Sequence, residues 1–181
     1  MLLLLLGFLA GSIPFGLLIG KRLGVDIREK GSGNIGASNV TRVLGVGAGV
    51  VVAILDIAKG ALPVWFARHH GGVPTMVGWA AIIGHCFSPW LGGKGGKGVA
   101  TAFGVFLVIA PLMAGVAVIV FGSVLAITRV PTLGSLAAMA AILGLAIHRG
   151  DPGITRLALM TFGLLVYTHR GNLRELVTRA N

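Results

Sequence analysis

Leu2-Leu3-Leu4-Leu5-Leu6-Gly7-Phe8-Leu9-Ala10-Gly11-Ser12-Ile13-Pro14-Phe15-Gly16-Leu17-Leu18-Ile19-Gly20 is nineteen residues without a charge, close to the roughly 20 that a helix needs to cross the hydrocarbon core of a bilayer. It has neither the basic leader nor the small-residue cleavage site of a removed signal peptide, so it is expected to stay as a span. Further apolar runs follow at about 47–67, 75–91, 99–110, 112–128, 133–147 and 154–168, with Pro111 dividing the short fourth run from the fifth. The predicted fold is therefore an all-α integral membrane protein, a seven-transmembrane-helix bundle with short or broken helices and glycine-rich cytoplasmic loops. Residues 1–181 are expected to form a single polytopic domain, with no linker, tail or repeat.

Composition agrees with the membrane reading. The chain is 55% hydrophobic and only 11% charged, with a mean hydropathy of +0.94, outside the range of ordinary soluble domains. Its 30 glycines would weaken soluble helices; between membrane helices, small residues instead permit close approach and let backbone bend around a polar cavity. The single cysteine, Cys86, excludes an intramolecular disulfide and a cysteine-based zinc cluster, and reads as a buried, inert thiol.

The net charge of +10 is carried in the segments between spans and accompanies no nucleic-acid motif, so membrane lipids rather than nucleic acid are the expected anionic surroundings. Lys21, Arg22, Arg28, Lys30, Arg42, Lys94, Lys97, Arg129, Arg170, Arg174 and Arg179 fall on one side of the seven-span arrangement, against Arg68, Arg149 and Arg156 on the other. The positive-inside bias then places the C-terminus and both glycine-rich loops in the cytoplasm and the N-terminus outside. A re-entrant fourth run would reduce the crossings to six and leave both loops free to face the cytoplasm.

Two segments carry phosphate-binding composition. In Gly31-Ser32-Gly33-Asn34-Ile35-Gly36-Ala37-Ser38-Asn39-Val40-Thr41-Arg42, glycines can turn backbone N–H groups inward, Ser and Asn add donors, and Arg42 offers a two-pronged partner to phosphate oxygens. Gly92-Gly93-Lys94-Gly95-Gly96-Lys97-Gly98 lies directly ahead of an apolar helix whose N-terminus attracts anions. The first also fits Gly-x-Gly-x-x-Gly, but no strand precedes it and Asp56 lies inside an apolar run, which excludes a dinucleotide fold. The second lacks the Gly-Lys-Ser/Thr ending of a nucleotide-hydrolysing P-loop.

Isolated polar residues complete the inventory. Asp56 and Lys59, three apart, share a helix face and are costly in hydrocarbon unless paired, so they read as a structural ion pair bracing the site, with direct substrate contact by Lys59 as the alternative. His85 closes the apolar run 80–84 and can accept a proton, donate to phosphate, or serve as a structural hydrogen-bonder. His69 and His70 fall in an outer loop. There is no nucleophile elbow, no pair of facing carboxylates and no aspartate cluster for a divalent metal, which argues against acyl-enzyme, glycosidase and metal-phosphotransferase chemistry. A phosphate-ester transporter would continue polar residues across the bundle, whereas here they gather toward one face; a lipid-binding scaffold leaves the converging phosphate donors unexplained.

The first glycine segment, Leu55-Asp56-Ile57-Ala58-Lys59-Gly60, Gly84-His85, Lys94-Gly95-Gly96-Lys97-Gly98-Val99-Ala100-Thr101 and His169-Arg170-x-Asn172, in this order over nearly the whole chain, closely resemble the bacterial acyl-phosphate:glycerol-3-phosphate acyltransferases. The resemblance implies a seven-helix enzyme of the bacterial plasma (inner) membrane that moves a fatty acyl group from acyl phosphate to the 1-hydroxyl of glycerol 3-phosphate. It implies lysophosphatidic acid and phosphate as products, no cofactor, metal, coenzyme A or acyl carrier protein, and no obligate protein partner.

On this basis Lys97, His85 and Ser32 are the expected catalytic residues. Asn34, Gly36, Ser38, Asn39, Arg42, Lys59, Lys94, Gly95, Gly96, Thr132, His169 and Asn172 are expected at the substrate phosphates, with amides around Gly95 and Gly96 as donors to the leaving phosphate or oxyanion. Three departures from the family pattern stand out. Ile35 replaces a usual proline, Thr132 a usual serine, and the tail after Asn172 diverges.

Overall fold

The computed structural model describes residues 1–180, with side chains through Thr178; Asn181 and the side chain of Arg179, counted above among the basic residues, lie outside the described part. Every regular element in it is helical. The described chain divides into two compact units, Met1–Val105 and residues 106 onward.

In the first unit, Pro14 has no N–H to continue a helix, and the opening apolar run is split into α1 (Leu2–Ser12) and α2 (Phe15–Arg22). A loop then leads to α3 (Ala37–Leu44), which Gly45, at φ 89°, separates from the long α4 (Val46–His69). Next come α5 (Pro74–Cys86), a 3-10 turn at Pro89–Leu91, the second glycine segment, and α6 (Val99–Ile109), which runs across the limit at Val105. α1 packs on α5 and α4, while α2 and α3 pack on each other and on α4. These crossings are close. A Cβ on Gly11 would fall on the Ala81 backbone, one on Gly84 against the Phe8 carbonyl, and one on Gly60 against the Thr101 carbonyl. Helices meeting this closely exchange lipid contact for dense backbone packing, the main attraction available within a bilayer.

Beyond residue 106, α7 (Pro111–Thr128), α8 (Pro131–Arg149), α9 (Pro152–Thr168) and α10 (Arg170–Ala180) form a run in which each helix packs on the next from α7 to α9, with α10 against α9. α5, α7, α8 and α9 all begin with proline, whose missing N–H costs nothing in a first helical turn. The Asp151 carboxylate caps α9, accepting from the Gly153 and Ile154 N–H groups at 2.9 Å each.

Among the described residues, four segments are long and apolar enough to cross a membrane: Leu2–Arg22, Val46–His69, Pro111–Thr128 and Pro131–Arg149. Val99–Ile109 is apolar but shorter. The apolar runs map onto helices within a few residues, and two helices lie outside them. α3 occupies the second half of a stretch read as loop, and α10 holds the basic tail. α3 was legible in principle, because Val40, Val43 and Leu44 recur at helical spacing between Gly36 and Gly45.

Candidate active site

Beneath the polar segments lies a buried charge cluster. Lys59 Nζ is 2.7 Å from Asp56 Oδ1 and donates to the Ile13 carbonyl at 2.7 Å, with the Phe15 ring centroid 5.6 Å away. Ile13 sits where α1 has ended and α2 has not begun, so its carbonyl is open to a side chain from another helix. Both charged side chains are only 3% exposed. At that depth a lone charge is costly, and mutual pairing plus a backbone acceptor is what makes the two tolerable. Lys59, counted above also as a phosphate ligand, is placed in this cluster and not on the surface of either glycine segment.

The first glycine segment is organised from within by Asn39. This buried amide, on the inner face of α3, accepts from the Ser32 N–H at 2.8 Å. Its Nδ2 donates toward the carbonyls of Asn34, Lys30 and Ile27 at 2.9, 3.1 and 3.2 Å. Those bonds use both of its N–H donors, so Asn39 shapes the loop from below. Asn34 Oδ1 accepts from the Gly36 N–H at 2.9 Å in a local turn that leads into α3. Ile35 between them is 4% exposed and packs with Leu17, Ile27, Val40 and Val52, so the residue replacing the family's proline is held by apolar burial. Ser38 and Arg42, four apart, share the exposed face of α3, and Ser32 is exposed at the loop's start. Upstream, Arg28 grips Asp26 through Nε at 2.9 Å and a second nitrogen at 2.5 Å, holding that carboxyl down at about 2.

The second glycine segment folds back on the end of α5. The Gly95 N–H donates to the Cys86 carbonyl at 3.0 Å and the Gly96 N–H to the His85 carbonyl at 3.1 Å, while the Gly93 N–H reaches the Ser88 carbonyl at 2.9 Å. The first two bonds satisfy terminal carbonyls of α5. They correct the expectation that the Gly95 and Gly96 amides are oxyanion donors, since both are already engaged. Gly96 instead matters for closeness, because a Cβ there would collide with His85 Nε2.

His85 itself is buried, with Nδ1 3.9 Å from Asp56 Oδ1 and no hydrogen-bond partner for that nitrogen among the described residues. It lies between the ion pair and the glycine turn, away from solvent. Lys94 is exposed, Lys97 is partly buried, and α6 begins two residues after Lys97, directing its positive end toward that part of the segment.

The remaining sequence candidates lie in the second unit. Thr132 is buried in the first turn of α8. His169, also buried, donates from Nδ1 to the Leu165 carbonyl at 2.8 Å at the end of α9, and Asn172 is partly buried on α10. Among the described residues no group of three His, Cys, Asp or Glu could hold a metal ion.

A family model described as glycerol-3-phosphate acyltransferase matches residues 1–179. The chain belongs to the glycerol-3-phosphate acyltransferase family. Family relatives bearing that description include one from Myxococcus xanthus, 51% identical over 98% of this chain and 95% of its own length. Another, from Geobacter sulfurreducens, is 44% identical over 93% and 89%. Crystal structures of PlsY (YgiH), an integral membrane glycerol 3-phosphate acyltransferase, superpose with TM-scores of 0.94 for the glycerol 3-phosphate form and 0.92 for the lysophosphatidic acid form. Each is 38% identical and covers 98% of this chain and 91% of the other.

Family membership and the apolar helices together make this a multi-pass membrane protein. Sequence reasoning missed Ser12, Ser88 and Trp90. Ser88 Oγ donates to the Ser12 carbonyl at 2.7 Å, and Trp90 Nε1 donates to Ser12 Oγ at 2.8 Å. The available signal was Pro14 in the middle of an apolar run, which announces open carbonyls just before it.

Proposed function

We propose that this chain transfers a fatty acyl group from acyl phosphate to the 1-hydroxyl of sn-glycerol 3-phosphate in phospholipid biosynthesis, releasing lysophosphatidic acid and inorganic phosphate. The observation that carries the reading is the full-length match to PlsY in its glycerol 3-phosphate and lysophosphatidic acid forms. The local geometry agrees: hydroxyls at Ser32 and Ser38 and the Arg42 guanidinium are presented on one short segment, and Lys94 and Lys97 on a second.

Acyl phosphate is a mixed anhydride with a good leaving group, so alignment and charge neutralisation can supply most of the catalysis. Holding a hydroxyl in line with an acyl carbon contributes about 7–11 kcal/mol in favourable cases. The glycerol oxygen forms the new ester bond as the acyl carbon to phosphate oxygen bond breaks, and the hydroxyl proton passes to an oxygen of the departing phosphate. Burial of His85 against Gly96 favours that acceptor over the imidazole. Lys97, beside the positive end of α6, neutralises the leaving phosphate. Ser32, Asn34, Ser38 and Arg42 hold the phosphate of the acceptor substrate. For Thr132, His169 and Asn172 the support is the family pattern alone.

In the membrane we infer seven spans, α1 with α2 making the first, then α4 to α9, in the bacterial plasma membrane. The N-terminus is outside, and both glycine segments and the C-terminus are cytoplasmic. The charge asymmetry of the connecting segments supports this orientation.

The test is release of phosphate by the purified protein supplied with palmitoyl phosphate, with and without glycerol 3-phosphate, the lipid product being identified by mass spectrometry. Acceptor-dependent release matched by lysophosphatidic acid is expected, and Lys97→Met should abolish most of it while the protein still inserts. Folded protein that yields no lysophosphatidic acid across several acyl lengths would overturn the assignment in favour of binding or transport of phosphate esters.

A further inference from the structure

We propose that the break between α1 and α2, residues 12–16, is the gauge that sets the separation of the two glycine segments, and that Ser12, Ser88 and Lys59 are positioning residues for acyl transfer. The inference rests on the function proposed above and adds to it what aligns the two substrates.

The break offers its carbonyls to other parts of the fold. With α1 ending at Ser12 and α2 starting at Phe15, the Ser12 carbonyl is taken by Ser88 Oγ and the Ile13 carbonyl by Lys59 Nζ, each at 2.7 Å. The Ser12 hydroxyl donates to the Leu9 carbonyl at 2.7 Å and accepts from Trp90 Nε1. Ser12 and Ser88 are fully buried. Where no water can substitute for a lost partner, such bonds hold backbone firmly in place.

From this point the structure reaches both segments. Toward the first, Gly16 in the opening turn of α2 lies against the Ile35 carbonyl, so close that a Cβ has no room. Ile35 is held between Asn34 and Gly36, and its side chain is packed into the core below. Toward the second, Ser88 and Trp90 form the turn that leads into Gly92–Gly98, and the Ser88 carbonyl itself receives the Gly93 N–H. Lys59 ties Ile13 to Asp56, whose carboxylate faces His85, and the His85 carbonyl receives the Gly96 N–H. Within five consecutive residues, Ser12, Ile13 and Gly16 thus reach toward both glycine segments through hydrogen bonds and close backbone contact.

Transfer needs the reacting hydroxyl and acyl carbon held about 3–3.5 Å apart, and a displacement of about 1 Å can cost a hundredfold in rate. Loosening the gauge should therefore damage alignment more than binding. Ser88→Ala removes the tie to the second segment without touching a substrate ligand. Trp90→Phe removes only the indole N–H to Ser12.

At saturating palmitoyl phosphate and glycerol 3-phosphate, Ser88→Ala is expected to lower kcat at least tenfold and Trp90→Phe severalfold. The KM for each substrate should stay within about threefold, and the temperature at which the Cys86 thiol becomes reactive should stay within a few degrees of wild type. Spin labels at Ser38→Cys and Lys94→Cys, in a Cys86→Ala background, should report a broader distance distribution when Ser88→Ala is added.

Full kcat in both variants would overturn the gauge, as would a KM increase for one substrate at unchanged kcat or a rate loss that only follows the folded fraction. An unchanged distance distribution would discard it whatever the activity. Wild-type protein that makes no lysophosphatidic acid, yet whose distribution broadens with Ser88→Ala, would retain the gauge and discard acyl transfer.

Discussion

Lys59→Met should be among the most damaging single changes in the first unit. It removes the ammonium that pairs with Asp56 at 2.7 Å and fills the Ile13 carbonyl, leaving a carboxylate 3% exposed with no counter-charge. Breaking one side of a buried pair costs about 3–5 kcal/mol, and Asp56→Leu should cost a similar amount by stranding the ammonium. The double variant behaves differently. Replacing a buried pair by apolar side chains of similar volume is neutral or favourable, so the remaining loss is the side-chain donor to the Ile13 carbonyl. A stranded carbonyl costs about 1–3 kcal/mol, and this one still accepts from the Phe15 N–H at 3.1 Å. The double variant should therefore lie within about 2 kcal/mol of wild type, giving a coupling energy of at least about 4 kcal/mol. Equilibrium unfolding in mixed micelles, followed by reaction of the one cysteine, provides the assay, because Cys86 is 4% exposed when folded. A Lys59→Met protein within about 1 kcal/mol of wild type, or a double variant as unstable as the sum of the singles, would refute the cluster as described.

Three further outcomes follow from the same geometry. Gly95→Ala drives a Cβ into the His85 carbonyl oxygen and to 2.8 Å from the Cys86 carbonyl oxygen, so the turn before Lys97 must shift. Turnover should fall at least tenfold, while Gly144→Ala, which meets nothing within 4 Å, should leave turnover unchanged; equal effects would remove close approach as the reason for Gly95. Ile35→Ala should cost about 2–5 kcal/mol in the same unfolding assay, from the cavity left among Leu17, Ile27, Val40 and Val52, and a loss below about 0.5 kcal/mol would show that burial does not hold this segment. Arg28 depresses the Asp26 carboxyl to about 2, chiefly by side-chain hydrogen bonding. A depressed carboxyl stabilises the fold above its ordinary value, and that contribution is lost only as pH falls toward the depressed one. The Asp26–Arg28 contact should therefore be intact at every pH used for activity, and a carboxyl carbon resonance of Asp26 titrating near 3.8 would contradict it.

Much of the architecture is a direct consequence of composition. Long apolar runs separated by polar, mostly basic segments satisfy their backbone polar groups as helices, so the apolar segments and their approximate limits follow from hydropathy. Proline positions add the starts of α5, α7, α8 and α9, because proline suits the first turn of a helix. The two polar segments were also legible, since glycine, hydroxyl, amide and basic residues cluster there between apolar runs.

What each of those residues does was decided by the tertiary structure. Hydrogen-bonding capacity is finite, and spacing along the chain does not say who uses it. The Gly95 and Gly96 amides look like anion donors in sequence, yet α5 ends within reach and takes them. Asn39 looks like a substrate ligand, and three carbonyls and one amide of its own loop occupy it. His85 reads as a surface base until Asp56 and Gly96 enclose it. Ser12, Ser88 and Ile13 carry no motif, because their role arises from carbonyls exposed by one proline and met by side chains 46 and 76 positions further along the chain. Composition alone called for apolar helices that cross a membrane, with glycine-rich, basic segments between them. Folding, by bringing distant donors to particular acceptors, fixed which of those groups are taken up by the structure itself.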